Sequence, residues 1–366
     1  MNNECLYPLR NLLTVSLERL SHISMPTDPR HILIVHVAGL AQTTLALPAL
    51  RSLRQHLPKS RITVVSSPVA ADLLQLAECA DEILPVARFR DAEFLNPRKF
   101  YRAAKSLRDL RREHFDLAVE FKTGAESGLV LQFVHSRERL TGKKKGVEAA
   151  LDRLSKAIGH AGAARGHDAH EYLKRLETLG VRPVESEPRI ATLRESDERI
   201  ERLLVKHNVG FGELLIGVHP GAGAGKPRWP IDRFASIAAR MTHNFGARVL
   251  VFAGPGERGE AKRLAAMLPA RSAIAFESPK IIDFVSAAAR LSLFVGNHSG
   301  PAHVAAAAGA PAVVASTFER PAPQDLLGAR VEHVRAPHIT LVSEEDVYEA
   351  ACSLLKSNRA EFLRSR

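Results

Sequence analysis

The chain has 366 residues, 45% of them apolar, a formal net charge of +11 and 3 cysteines. That length exceeds one comfortable core and predicts two domains of roughly 150 residues each, while the apolar fraction excludes a largely disordered chain. Cys5, Cys79 and Cys352 are scattered without ligand spacing, which excludes a disulfide framework and a cysteine zinc site.

Residues 1–30 form an N-terminal extension whose short apolar runs are broken by Arg10, Glu18 and Arg19, so neither a signal peptide nor a membrane span is expected there. No later stretch reaches 18 uninterrupted apolar residues, and a cytoplasmic location is the expectation. HILIVHVAG at 31–39 predicts a buried strand running into a glycine-containing loop. A helix over TTLALPALRSLRQHL and a strand at 61–67 come next, then strand candidates EILPV and FDLAVEF on either side of a basic helical segment around 98–113. Such alternation is the pattern of a parallel α/β sheet covered on both faces.

Between Gly142 and Glu171 the pattern dissolves into GKKKG and HAGAARGHDAH, as expected of a loop. A helix at 170–180 precedes VRPVESEPR, which is expected to connect the domains. A second α/β series then runs through ELLIGVHPGAG, a helix near 231–243, ARVLVFAGPGE, a helix from about 259, and SLFVGNHSG. Each of these strands ends in a glycine-containing loop. Ligands of open α/β sheets bind at such strand ends, so a cleft between the two domains is predicted.

Three loops carry the chemistry. HPGAGAGKPRWP at 219–230 combines a strand end, close-approach glycines such as Gly221, and the cations Lys226 and Arg228, a set suited to phosphate oxygens. It lacks the GxxxxGK[ST] order, so ATP hydrolysis is not implied. FAGPGERGEAKR places Glu257 just after a strand, where a carboxylate can accept from a ribose diol or cap a helix. VGNHSGPAHVAAAAGAPAV puts His298, Ser299, Gly300 and His303 at a helix start, a place suited to an anion.

In order and spacing from about 31 to 345, these motifs resemble glycosyltransferase family 9, the ADP-heptose:lipopolysaccharide heptosyltransferases. The shared elements are the ILIV strand with LPAL, HPG followed by a basic residue and RWP, GxxGE, and GNxSGPxHxAAAxGxP. The resemblance implies a GT-B fold of two Rossmann-like domains facing across a cleft, with an acceptor domain at 31–185, a nucleotide-sugar domain at 186–345 and a C-terminal helix or tail at 346–366. It implies an inverting, metal-independent enzyme that moves heptose or a related sugar from an ADP-activated donor to a lipopolysaccharide-core or other glycan acceptor, with contact at the inner membrane surface and no nucleic-acid partner. His219 to Trp229 would match the diphosphate loop, with Lys226 as first choice for the phosphate lysine and Arg228 as its rival. Glu257 would match the ribose contact, and Ser299, Gly300 and His303 the donor-binding turn.

Two positions depart from the family pattern. GNHSGPAH places His298 where relatives resemble GDSGPMH, with a donor-contacting aspartate. VAGLAQTTLALP places Gln42 where SxLGD carries the base, and glutamine cannot accept a proton at neutral pH. Glu120 and His36, each at a strand end, are the alternative bases. A non-catalytic nucleotide-sugar-binding protein and a GT-B-like nucleotide-sugar epimerase are the competing readings.

Overall fold

The computed structural model describes residues 26, 28–86, 105, 108–141, 168–210, 212–223, 227–277, 279–318, 325–328 and 330–364. They form two lobes, each built on a wholly parallel sheet. Lobe one comprises β1 (His31–His36), α1 (Leu40–His56), β2 (Arg61–Ser66), α2 (Pro68–Leu76), β3 (Glu82–Pro85), β4 (His114–Glu120), α3 (Ala125–Phe133), β5 (His135–Leu140) and α4 (Asp168–Glu177). Its strand order is β3-β2-β1-β4-β5. Ile32 to Val35 are fully buried, as expected of a central strand covered on both faces.

Lobe two comprises α5 (Arg194–Lys206), β6 (Leu215–His219), α6 (Ile231–Phe245), β7 (Arg248–Ala253), α7 (Glu260–Ala266), β8 (Ala273–Glu277), α8 (Ile281–Ala288), β9 (Leu293–Asn297), α9 (Gly300–Ala307), β10 (Ala312–Thr317), β11 (Val331–Ala336) and α10 (Glu344–Arg364). Its order is β11-β10-β9-β6-β7-β8. The two lobes together have the GT-B arrangement expected from the sequence.

Each sheet reverses its direction of winding once, between β1 and β4 in lobe one and between β6 and β9 in lobe two. A reversal leaves a crevice at the carboxyl ends of the two strands, because the helices after them pass to opposite faces. His36 and Glu120 stand at the first such point, and His219 and Asn297 at the second. The lobes also touch directly. A Cβ added at Gly300 would lie 2.9 Å from Leu40 Cβ, so the N-terminus of α9 meets that of α1 only because residue 300 has no side chain.

The structure adds elements that periodicity did not disclose. The helix expected from 170 begins at Asp168, inside the stretch read as loop. β5, HSRERL, is a polar edge strand without an apolar alternation to reveal it. Of the basic helix expected at 98–113, Lys105 and residues 108–110 are helical and most of the remainder lies outside the described residues.

Candidate functional site

Lobe two assembles its loops around buried side chains. Asn297, 1% exposed at the end of β9, accepts from the Trp229 backbone N–H at 2.8 Å and donates to the Pro220 carbonyl at 2.7 Å. It therefore ties both ends of the 219–230 loop to the sheet. Trp229, also 1% exposed, anchors that loop by packing edge-on to Phe234, with ring centroids 4.8 Å apart, and by donating from Nε1 to the Val342 carbonyl at 3.1 Å. Asn297 lies inside the GNHSG motif, yet no local pattern marks it, rather than His298, as the residue that holds the loop.

Beside it, Glu257 accepts from the Gly254 backbone N–H at 2.9 Å and lies 3.0 Å from His219 Nε2. Burial by itself would raise the Glu257 carboxyl, but the His219 hydrogen bond, the Gly254 N–H and the Arg228 charge outweigh it and hold it at about 2. It is ionised at neutral pH, and Oε2 is the oxygen shared between His219 and Gly254. A Cβ at Gly221 would overlap the Glu257 carboxylate. The close approach expected for phosphate at that glycine is thus made by an internal carboxylate, and Gly221 is part of what positions Glu257.

Arg228 is held by Glu260 at 2.6 Å and stands 3.6 Å from Glu257 Oε1, so its charge is largely committed to carboxylates. Lys226 lies outside the described residues. Between the lobes is a cavity of about 240 Å³, lined by Leu40, Val69 and Asp72 from lobe one and by His219, Pro255 and Phe284 among others from lobe two. Its walls are mostly apolar, and it is smaller than the roughly 300–1,000 Å³ pockets that enclose whole drug-sized ligands. Those dimensions suit one flat portion of a ligand, and two of the lining residues, His219 and Gly254, are the hydrogen-bond partners of Glu257.

Ser299 is the N-cap residue of α9; its hydroxyl is buried and without a hydrogen-bond partner, and the cap has no side-chain bond. His303, one turn into the helix, is 2% exposed, and its ring stands edge-on to that of His298 at 5.3 Å. His298 Nε2 lies 3.9 Å from Asp325 Oδ1, and Asp325 is itself paired with Arg335. Asp325, His333 and Arg335 were not foreseen. Pairing of β10 with both β9 and β11 brings them together: Ala315 lies opposite Asn297 on one side and Val334 on the other.

At the reversal in lobe one, the alternative bases are closed in. His36 is 0% exposed, edge-on to Tyr172 at 5.5 Å and to Phe121 at 6.2 Å. Burial and the Lys122 charge hold its imidazole down at about 3, while the nearby Gln42 backbone carbonyl opposes this without reaching hydrogen-bonding geometry. Glu120 is 1% exposed, with its carbonyl capped by Arg175. Gln42 sits half-buried in the first turn of α1, near the contact with Gly300. No group of three or more His, Cys, Asp or Glu side chains is placed to hold a metal among the described residues, and none of their helices is long and apolar enough to cross a membrane.

Residues 103–344 match the model of glycosyltransferase family 9 (heptosyltransferase). Among solved structures, a family 9 glycosyl transferase from Veillonella parvula superposes with a TM-score of 0.75 at 19% identity, covering 91% of this chain and 99% of that one. Escherichia coli ADP-heptose lipopolysaccharide heptosyltransferase II gives 0.66 at 17% identity, covering 90% and 99%. An Escherichia coli heptosyltransferase solved with ADP-2-deoxy-2-fluoro heptose gives 0.63 at 20% identity, again covering 90% and 99%. At these identities the structural likeness is one of fold.

Proposed function

The chain belongs to glycosyltransferase family 9, and on that premise we propose that it transfers heptose or a related sugar from an ADP-activated donor, with inversion, to a lipopolysaccharide-core or other glycan acceptor. The observation that carries this reading is the junction of β6, β7 and β9, where an ionised Glu257 is bonded to His219 and Gly254 in the wall of an apolar interlobe cavity and the uncapped Ser299 hydroxyl opens a helix N-terminus.

The base occupies the apolar cavity, and the ribose diol donates to the Glu257 carboxylate. The diphosphate lies toward α9, where the N–H groups of its first turn and the Ser299 hydroxyl neutralise the leaving group. Lys226 supplies the compensating cation, because Arg228 is already paired with Glu260 and Glu257. With cationic and dipolar compensation in place, the departure of the diphosphate needs no divalent metal. The acceptor enters from lobe one, and the enzyme works in the cytoplasm or at the inner membrane face.

The reading is tested by incubating the protein, ADP-heptose and a deacylated lipopolysaccharide core with excess EDTA, and following both ADP release and the mass of the acceptor. A heptose added to the core with stoichiometric ADP supports it. Conversion of the donor sugar without acceptor would favour an epimerase, and donor binding without either product a non-catalytic binder.

A further inference from the structure

The family resemblance puts Gln42 at the position of the base, and the two replacement carboxylate and imidazole groups of lobe one are walled in. His298 is differently placed. It stands two residues before Gly300, whose backbone abuts Leu40 and lies 3.6 Å, measured from a built Cβ, from the Ala41 backbone nitrogen. Gln42 and His298 therefore flank the same point of contact between the lobes. The His298 side chain is 23% exposed, whereas His36 and Glu120 are sealed.

We propose that His298, oriented by Asp325, is the general base of the transfer. This rests on the glycosyltransferase reading above. In the step, the acceptor hydroxyl oxygen bonds to the anomeric carbon as the bond from that carbon to the phosphate oxygen breaks. The electron pair leaves with the nucleoside diphosphate, and the hydroxyl proton passes to the His298 imidazole. Asp325, 3.9 Å from Nε2, stabilises by its charge the imidazolium that forms. Asp325 is a positioning residue, and Arg335 in turn fixes Asp325.

The charged and titratable groups around His298 support this assignment of roles. Among the described residues, His333 and Arg335 come from β11, His303 from α9, and Asp325 from the segment before β11. The first turn of α1, which faces α9, has no acidic residue. Burial, with the Arg335 and His298 charges, holds His333 down at about 4 against the pull of Asp325, so His333 is neutral at neutral pH. Asp325 is the carboxylate that stands 3.9 Å from His298 within lobe two.

The test uses the full-length protein with ADP-heptose and deacylated lipopolysaccharide core, measuring kcat across pH 5 to 9 alongside the denaturant unfolding midpoint. The wild type is expected to lose kcat on the acid side with a slope of one proton. His298→Asn should lower kcat by about 10²–10⁴-fold. Its denaturant unfolding midpoint should match that of wild type, which reports that the variant is folded. Asp325→Asn should move the acid limb to lower pH by about one unit, a displacement that a merely structural role would not produce. Full kcat in His298→Asn, or an acid limb unmoved in Asp325→Asn, overturns the proposal and leaves the transferase reading standing. No ADP release by the wild type overturns both.

Discussion

The two winding reversals share a topology but differ in how they are finished. At β1 and β4 the strand ends carry His36 and Glu120, and Phe121 and Tyr172 stack at 5.4 Å beside His36. At β6 and β9 the strand ends carry His219 and Asn297, followed by glycine-containing loops and an uncapped helix, with a cavity alongside. The parallel sheet supplies a crevice in both lobes. Whether the crevice becomes a site depends on the residues just beyond the strand: aromatic and long side chains close it, whereas small residues leave backbone N–H groups and carboxylates within reach of a ligand.

That contrast can be broken most strongly from lobe two. Trp229→Ala removes a buried indole that anchors the loop, and is expected to cost about 3–5 kcal/mol in denaturant unfolding. Gly221→Ala forces the Glu257 carboxylate from its place; it should cost about 1–3 kcal/mol and lower ADP affinity at least tenfold by calorimetry. Glu257→Gln probes the same carboxylate by pH. With its folded value at about 2 against an ordinary 4.5, Glu257 stabilises the protein above pH 4.5, and that contribution fades as pH falls toward 2. The variant should be less stable than wild type at neutral pH, by about 1–3 kcal/mol, and the gap should narrow through that window.

Lobe one responds in a different range. His36 is buried neutral, held at about 3 against an ordinary 6.5, so its folded environment resists protonation and stability is lost as pH falls from 6.5 toward 3. His36→Phe should flatten hydrogen-exchange protection of β1 and β4 over that interval without altering ADP affinity. The smallest expected change is Gln42→Asp. A carboxylate in the first turn of α1 should shift stability by no more than about 0.5 kcal/mol, while donor turnover rises if the acceptor proton is reached from that side. An unchanged kcat would leave the proton transfer with lobe two.

The fold was legible because its central strands are continuous apolar runs, HILIVH and LIGVH among them, each ending in a glycine-containing loop. What the sequence concealed has physical causes. β5 and β11 are edge strands with charged residues on them, so no alternation marks them. His219 was readable as a strand end and Glu257 and Ser299 as loop residues after strands, but the internal pairing that commits Glu257 to His219 and Arg228 to Glu260 joins distant segments. Arg335 on β11 comes near His298 after β9 through the order of β9, β10 and β11, and no local spacing encodes that order.

The most direct test of the central claim, that lobe two is a nucleoside diphosphate site, is calorimetric titration of the full-length protein with ADP, GDP and UDP in the presence of EDTA. The expected result is one ADP bound per chain at about micromolar affinity, roughly 8 kcal/mol, with GDP and UDP weaker and with binding reduced in Gly221→Ala. Absence of binding for all three would contradict the claim.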